Sequence, residues 1–321
     1  METESPDSLQ DAILYFADFE HCRQFMLALR WPDGKVTCPR CGAEKVTWLE
    51  KPRVWKCYAK HERPTFTLKT GTIFEDSPIP LEKWLPAAWL IINCKNGISS
   101  YELSRDLKVT QKTAWFMLHR IRLAMQTGSF RKFSGEVEAD ETFVGGKVIN
   151  MHLDKQTRAR MGKKRTGGFE GKAIVMGLLE RHTKEAKVKV IPNVRSFHVR
   201  TNVSENVEKG STVYSDSLRS YRNLPVDGFV HDFIDHTEAY VNGRVHTNGM
   251  ENFWSLLKRA LKGTYISVEP FHLQAYADEQ CFRYNQRKLT DAERFSTCMK
   301  QIVGRRVTYN ELTGKTEDAY S

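Results

Sequence analysis

Apolar residues return every three or four positions through residues 10–30, "QDAILYFADFEHCRQFMLALR", and the spacing predicts a helical run that stops at the Pro–Gly turn of "WPDGK". Short β-like runs follow between residues 36 and 74. Helical spacing then resumes over 78–125 and reads as several helices. After "TGSFRKF" the period drops to two. The segments 135–146, 172–181, 184–194, 211–216 and 228–236 predict strands, the second and third joined by a hairpin at "HTK". Helical runs return at 249–261, 272–287 and 291–302, and a polar tail closes the chain. Three consecutive strands, followed by strands mixed with helices, predict an α/β domain around a mixed sheet. No internal repeat is present.

Within the helical region, "SSYELSRDLKVTQKTAWFMLHRI" has the form of a helix-turn-helix. Ser99 or Ser100 suits the cap of a first helix, "LKV" the turn, and Thr110 the cap of a second. Ala114, Met117, Leu118 and Ile121 share the inner face of that second helix. Gln111, Lys112 and Thr113 open it, where base-reading residues lie in such motifs. Any helix pair of an α-helical subdomain would show the same pattern.

Seven cysteines do not suggest a disulfide framework, being odd in number and unevenly spaced. Cys22, Cys94, Cys281 and Cys298 sit singly in apolar surroundings, as small core residues do. Cys38 and Cys41 form a C-x2-C knuckle before a glycine, and Cys57 follows after 15 residues. Lys60 stands where a fourth cysteine would be expected, so His61 is the candidate fourth ligand. Three thiolates and an imidazole suit a closed tetrahedral Zn2+ site, with a structural rather than catalytic role.

The carboxylates form a second pattern. Glu136, Glu138 and Asp140 fall on one face of the strand "GEVEADETF", and a solvated face on an edge strand is the expectation for the first two. Asp140 lies near that strand's end, and Asp216 ends the run "TVYSD". The following "SLRSYRNL" is helix-like, so Asp216 also suits an N-cap, although Ser215 and Ser217 could serve. Glu251 opens the helix "MENFWSLLKRA", whose Phe253, Leu256, Leu257 and Ala260 make a core-facing stripe. Lys258, seven positions on, lies nearly above Glu251, about 20° away. Two aspartates at strand ends and a glutamate at a helix start are what a two-metal phosphoryl-transfer site needs, with Mg2+ or Mn2+ as the ions.

Charge points the same way. The chain of 321 residues carries a net charge of +10, and "KQTRARMGKKR" at 155–165 holds six basic residues and no acidic one. A mean hydropathy of −0.52 and a pI near 9.2 describe a water-soluble basic chain. The longest apolar run, "WLPAAWLII", is far short of the roughly 20 residues a membrane span requires. The acidic N-terminus lacks a secretory signal pattern, so a cytoplasmic location is expected. Nucleic acid is the expected partner.

The stretches "LRWPDGKVTCPRCG", "FTLKTGTIFEDSPIPLEKWL", "ADETFVGGK" and "HTNGMENFWSLLKRALKGTY" resemble insertion-sequence DDE transposases, within the retroviral-integrase superfamily. The resemblance is to the branch with a zinc ribbon and an ISXO-two-like domain, and it runs from about residue 20 to about 287. It implies an RNase H-like catalytic fold with metal-dependent DNA cleavage and strand transfer. Its triad falls on Asp140, Asp216 and Glu251, with Asn248 as a rival third residue because the branch varies there. Lys258 corresponds to the lysine that accompanies the glutamate. Lys163, Lys164 and Arg165 of the basic run, with Arg259 and Lys262 of the last helix, are expected against the DNA backbone.

The expected division is an N-terminal helical segment (1–35), a zinc ribbon (36–77), a helix-turn-helix region (78–130), an RNase H-like domain (131–310) and a tail (311–321). The expected partners are double-stranded DNA, both element ends and target, and further copies of the chain assembled on it. Two other readings share these features: a nuclease of similar fold, and a DNA-binding regulator or inactive transposase derivative.

Overall fold

The computed structural model describes residues 6–126, 131–145, 172–216, 219–234 and 246–314. The chain divides into two compact units. One comprises residues 1–127 together with 286–321, and the other residues 128–285.

The first unit begins with two helices rather than the single run the periodicity suggests. Helix α1 (Leu9–Phe16) is closed by a Ser8–Asp11 capping box, and α2 (Phe19–Arg30) starts afresh at Asp18. The Asp18 carboxylate accepts from the N–H groups of Glu20 and His21, which satisfies two orphan donors and fixes the break. A small antiparallel sheet follows, β1 (Val46–Leu49), β2 (Val54–Cys57) and β3 (Thr65–Phe66), in that spatial order. Helix α3 (Leu81–Asn93) is buried over most of its surface, Pro86 included.

Helices α4 (Ser100–Leu107) and α5 (Gln111–Met125) form a tight pair. Ser99 caps the first, Lys108 turns the chain in the left-handed region at φ 49°, and Thr110 caps the second. Ala114, Met117, Leu118 and Ile121 are all buried. The late segment α9 (Asp291–Met299) belongs to this unit, whereas strand and helix spacing alone had carried the second domain to residue 310. Phe295 explains the difference: its ring lies 5.8 Å from Phe16, 5.6 Å from Phe25 and 5.0 Å from Trp89, within one aromatic cluster. A short helix α10 (Tyr309–Thr313), with a Thr308–Glu311 capping box and a buried Leu312, occupies the start of the expected tail.

The second unit is built on a five-stranded sheet: β4 (Glu136–Val144), β5 (Ala173–Glu180), β6 (Glu185–Ile191), β7 (Thr212–Asp216) and β8 (Val230–Ile234). The spatial order is β6-β5-β4-β7-β8. The first three strands pair antiparallel, while β7 joins β4 and β8 joins β7 in parallel. Strand alternation gives the sheet two apolar faces. On one, Val137, Ala139 and Val213 pack with Val199 and Val203 of α6 (Ser196–Asn206). On the other, Val175 and Leu179 meet Met250, Phe253 and Trp254 of α7 (Asn248–Ala260) and Ala277 of α8 (Leu273–Asn285).

Helix α6 left no sequence signal, because Val199 and Val203 are its only buried apolar residues and polar or β-branched side chains surround them. The helix expected after Asp216 is instead two 3-10 turns, Arg219–Tyr221 and Leu224–Asp227, the second containing Pro225. Strand β4 is central rather than at an edge, and this overturns the solvated acidic face expected for Glu136 and Glu138. Glu138 is only 1% exposed and is paired with Arg181 at 3.0 Å, which supplies the countercharge a buried carboxylate requires. Glu136 accepts a hydrogen bond from the Tyr214 hydroxyl at 2.8 Å.

Candidate functional site

The N-terminal metal group is the tightest cluster of its kind. Cys38, Cys41, Cys57 and His61 are the one set of His, Cys, Asp or Glu ligand atoms among the described residues drawn close enough to grip a single ion, all within 4.8 Å of one another. Cys41 Sγ lies 3.7 Å from Cys57 Sγ, and Cys38 Sγ lies 3.8 Å from His61 Nε2. A tetrahedron with Zn–S bonds of about 2.3 Å has S···S edges of about 3.8 Å, so the donors are already spaced for zinc. Burial opposes ionisation of Cys38. The N–H groups of Arg40 and Cys41 and the neighbouring thiols outweigh it and hold that thiol below its usual range, toward the thiolate a metal needs. The Cys3His group fits structural zinc.

The acidic residues of the second unit are brought together by sheet register. The β4–β7 ladder pairs Glu136 with Thr212, Val137 with Val213 and Glu138 with Tyr214. Continued two residues, that register sets Asp140 beside Asp216 on neighbouring parallel strands. Both belong to the face that carries α7. Asp216 is the last residue of β7, but Asp140, expected near the end of its strand, is the fifth of the nine residues of β4, because pairing with β5 carries that strand on to Val144.

Asp140 is held from two sides. Its Oδ1 accepts from the Glu141 N–H at 2.9 Å, and its Oδ2 accepts from the Trp254 indole Nε1–H at 2.9 Å. Burial, chiefly, and then the charges of Asp216 and Glu251 push its carboxyl up to about 6, against the lowering effect of those two donors. The three carboxylates therefore lie within one electrostatic field. They are not gathered as tightly as the thiols, as expected of like charges with only neutral donors at Asp140.

Glu251 stands in the first turn of α7 and is exposed, on the side away from the buried Met250, Phe253, Trp254, Leu257 and Ala260. The stripe is turned slightly from the expected one, with Trp254 in the core and Leu256 half-buried. Thr247 occupies the N-cap without a capping bond from its side chain, and Asn248 is the first, exposed residue of the helix. Glu138 does that work from the sheet, its Oε2 accepting from the Met250 N–H at 3.1 Å. Arg181 ties Glu138 to the backbone carbonyl of His246, 2.5 Å away. A Cβ on Gly249 would lie 2.7 Å from Glu138 Oε2, so the close approach depends on glycine.

Lys258, Arg259 and Lys262 are exposed, the last in the π-type turn Leu261–Tyr265 that extends α7. At the start of α5, Gln111 donates to Ser100 Oγ at 2.8 Å and Thr113 is bonded to Thr110 at 2.8 Å. Lys112 is exposed, its ammonium 4.6 Å from the centre of the Tyr309 ring. Lys163, Lys164 and Arg165 lie outside the described residues.

Three residues in or behind this site, Trp254, Gly177 and Glu141, carried no expectation from the sequence, and Glu138 was expected on a solvated face. Gly177 faces Asp140 across the β4–β5 ladder, and Trp254 lies over it. A glycine in the middle of the apolar strand "AIVMGLLE" is itself a signal of close approach. Glu141 points to the opposite face. Burial pushes its carboxyl up to about 8, and the Tyr221 hydroxyl donates to it.

A sheet of this order, with acidic residues on adjoining strands and a ribbon of three cysteines and a histidine before it, defines an RNase H-like domain carrying an N-terminal zinc ribbon. The chain belongs to the ISXO2-like transposases: the family described as ISXO2-like transposase domain matches residues 132–285, and the transposase zinc-ribbon domain matches residues 18–59. It is 31% identical over 251 residues to an uncharacterized protein in transposable element ISH50 of Halobacterium salinarum, covering 77% of this chain and 84% of that protein. An uncharacterized transposase-like protein of Haemophilus influenzae is 33% identical over 114 residues, 36% of this chain and 89% of that protein. Among the described residues no helix is long and apolar enough to cross a membrane.

Proposed function

We propose that this transposase binds the ends of an insertion sequence and carries out divalent-metal-dependent DNA cleavage and strand transfer at Asp140, Asp216 and Glu251. The observation that supports it best is the Asp140 carboxyl, raised to about 6 by burial and by two further carboxylates, with neutral groups as its donors. Such a cluster calls for positive charge, and hard oxygen donors suit Mg2+ or Mn2+. Two such ions, when bound, supply the charge that offsets the developing negative charge on phosphate and acidifies the attacking oxygen.

The protein groups then have separate tasks. Trp254 orients Asp140, and Glu138 anchors the turn of α7 that presents Glu251. Lys258, seven residues further on, holds a phosphate. Arg259, Lys262 and the basic run with Lys163, Lys164 and Arg165 follow the DNA backbone. The α4–α5 pair acts as a helix-turn-helix, with Gln111, Lys112 and Thr113 at the reading end of α5. Double-stranded DNA is the partner at both the element end and the target, and copies of the chain assemble on it in the cytoplasm. Structural Zn2+ is held by Cys38, Cys41, Cys57 and His61.

The test is strand cleavage of a labelled element-end duplex in Mg2+ and in Mn2+. Glu251→Gln keeps the size and the helix but removes the charge, so cleavage and joining fall by several orders of magnitude while end binding persists. Asn248→Ala and Lys258→Ala are milder. Near-normal cleavage by Glu251→Gln beside an inactive Asn248→Ala would transfer the third position to Asn248. Retained end binding by the wild-type chain with no cleavage under either metal would favour a regulator.

A further inference from the structure

The ribbon sheet has one face closed and one face open. Trp55, Cys57 and Phe66 point inward and are buried, with the Trp55 ring 5.8 Å from Phe66. Alternation therefore sends Thr47 of β1, Lys56 of β2 and Thr65 of β3 outward, and the register aligns them: Lys56 pairs with Thr47 on one side and Thr65 on the other. Just beyond, Lys45 and Tyr58 are joined across the same pair of strands, the Tyr58 N–H donating to the Lys45 carbonyl at 3.2 Å. All five side chains are exposed, Tyr58 by 52%.

Two ammonium groups share the one ring. Lys45 Nζ lies 5.8 Å from the Tyr58 centroid and Lys56 Nζ 5.4 Å from it. Neither lysine has an ion-pair partner among the described residues, and strands β1 to β3 carry no acidic residue. The nearest carboxylates in sequence, Glu44, Glu50 and Glu62, lie in the flanking turns, Glu50 accepting from the Trp48 indole N–H at 2.6 Å. Like charges gathered on a rigid sheet, around an aromatic ring and between hydroxyl donors, suit a polyanion that also offers flat surfaces. DNA answers both demands, with phosphates for the lysines and sugar or base edges for the ring. A protein partner would need apolar anchors, and the open face offers little beyond Leu49, 36% exposed at its far end.

We infer that this open face of the ribbon, carrying Lys45, Lys56 and Tyr58, is a DNA-contacting surface that holds phosphates independently of sequence. It rests on the reading of the chain as a DNA-binding transposase and adds a contact surface separate from α5. The zinc group would then keep the sheet rigid enough to present these side chains together.

The experiment uses the full chain and a fluorescein-labelled 30-base-pair duplex of random sequence, titrated between 50 and 300 mM NaCl. Each phosphate contact contributes about 0.9 to the slope of log affinity against log salt, so Lys45→Gln/Lys56→Gln should flatten that slope by about 1.8. At 0.15 M salt this is a loss of about 30-fold, taking about 1 M as the point where the electrostatic contribution vanishes. Tyr58→Ala should weaken binding several-fold at every salt concentration and leave the slope unchanged. Zinc content is measured in parallel, because Lys56 and Tyr58 flank Cys57. A double variant with one zinc per chain and wild-type slope and affinity would overturn the inference and leave the transposase reading standing. A wild-type chain that binds no duplex at 50 mM salt would overturn both. Competition by polyglutamate as effective as that by DNA would reduce the face to a general anion surface and overturn the assignment to DNA.

Discussion

Gly177→Ala isolates the geometry that holds Asp140. Gly177 is the β5 residue opposite Asp140, and a Cβ there would lie 2.1 Å from the Met250 methyl and 2.8 Å from two atoms of the Trp254 ring. The methionine end can swing aside. The indole, wedged between sheet and helix, cannot. Ordinary contact begins at 3.4 Å, so the ring must retreat by 0.6 Å, the difference between 3.4 and 2.8 Å. A retreat directly away from Asp140 would stretch the 2.9 Å indole bond to about 3.5 Å, beyond the 2.7–3.2 Å range of such bonds.

A hydrogen bond to a charged acceptor is worth about 1.5–3 kcal/mol, and its loss would raise the Asp140 carboxyl a further ~1–2 pH units. Overpacking adds about 1–3 kcal/mol of destabilisation, lowering Tm by several degrees. The variant should therefore fold, need a higher Mg2+ concentration for half-maximal cleavage, and cleave about tenfold or more slowly at fixed Mg2+ near pH 7. The direct readout is the Trp254 indole N–H resonance, which should move upfield as its bond to the carboxylate is lost. Trp254→Phe should reproduce the Mg2+ shift without the overpacking. An unchanged indole resonance and an unchanged Mg2+ midpoint in Gly177→Ala would refute the reasoning.

His61→Ala should lower zinc retention under mild chelation and destabilise the ribbon, read as zinc per chain and as loss of Trp55 fluorescence structure. Full stoichiometry and stability would remove His61 from the site. For the metal-free chain, Asp140 is raised from 3.8 to about 6 and Glu141 from 4.5 to about 8. A raised carboxyl favours the folded state while protonated, so this stability is complete below about pH 4 and is lost as pH rises through 6 and then 8. Divalent cations offset the charge at Asp140, so Mn2+ should raise Tm more at pH 7.5 than at pH 5. Equal shifts at both values would detach the metal from Asp140.

The strands were legible because one or both faces of each are buried, so apolar residues mark them at period two or as a run. The knuckle was legible because its chemistry depends on spacing along the chain, and Asp216 does end its strand, whereas Asp140 lies in the middle of β4, which pairing with β5 prolongs to Val144. What lay hidden was set by pairing across the chain. Nothing in "GEVEADETF" says that β4 has neighbours on both sides, and so the burial of Glu138 beside Arg181 could not be foreseen. Trp254 stood outside the expected stripe and carried no expectation, since its bond to Asp140 depends on Gly177, which comes 77 positions earlier. Helix α6 carried too few apolar residues to announce itself, and Asp18 broke the first helix where the apolar period continued unbroken. The placement of Phe295 with the N-terminal helices is likewise a contact between distant parts of the chain.

That placement of Phe295 has a consequence in time. The aromatic cluster of Phe16, Phe25 and Trp89 is short of one ring until residue 295 has left the ribosome, while the five-stranded unit has all its residues by 285. At about 5–20 residues per second, the first-made helices wait on the order of tens of seconds for their last partner. The inserted unit, started later, can be finished sooner. These helices are thus synthesised before the inserted unit and sealed after it, and during that wait their aromatic surface stays open to aggregation.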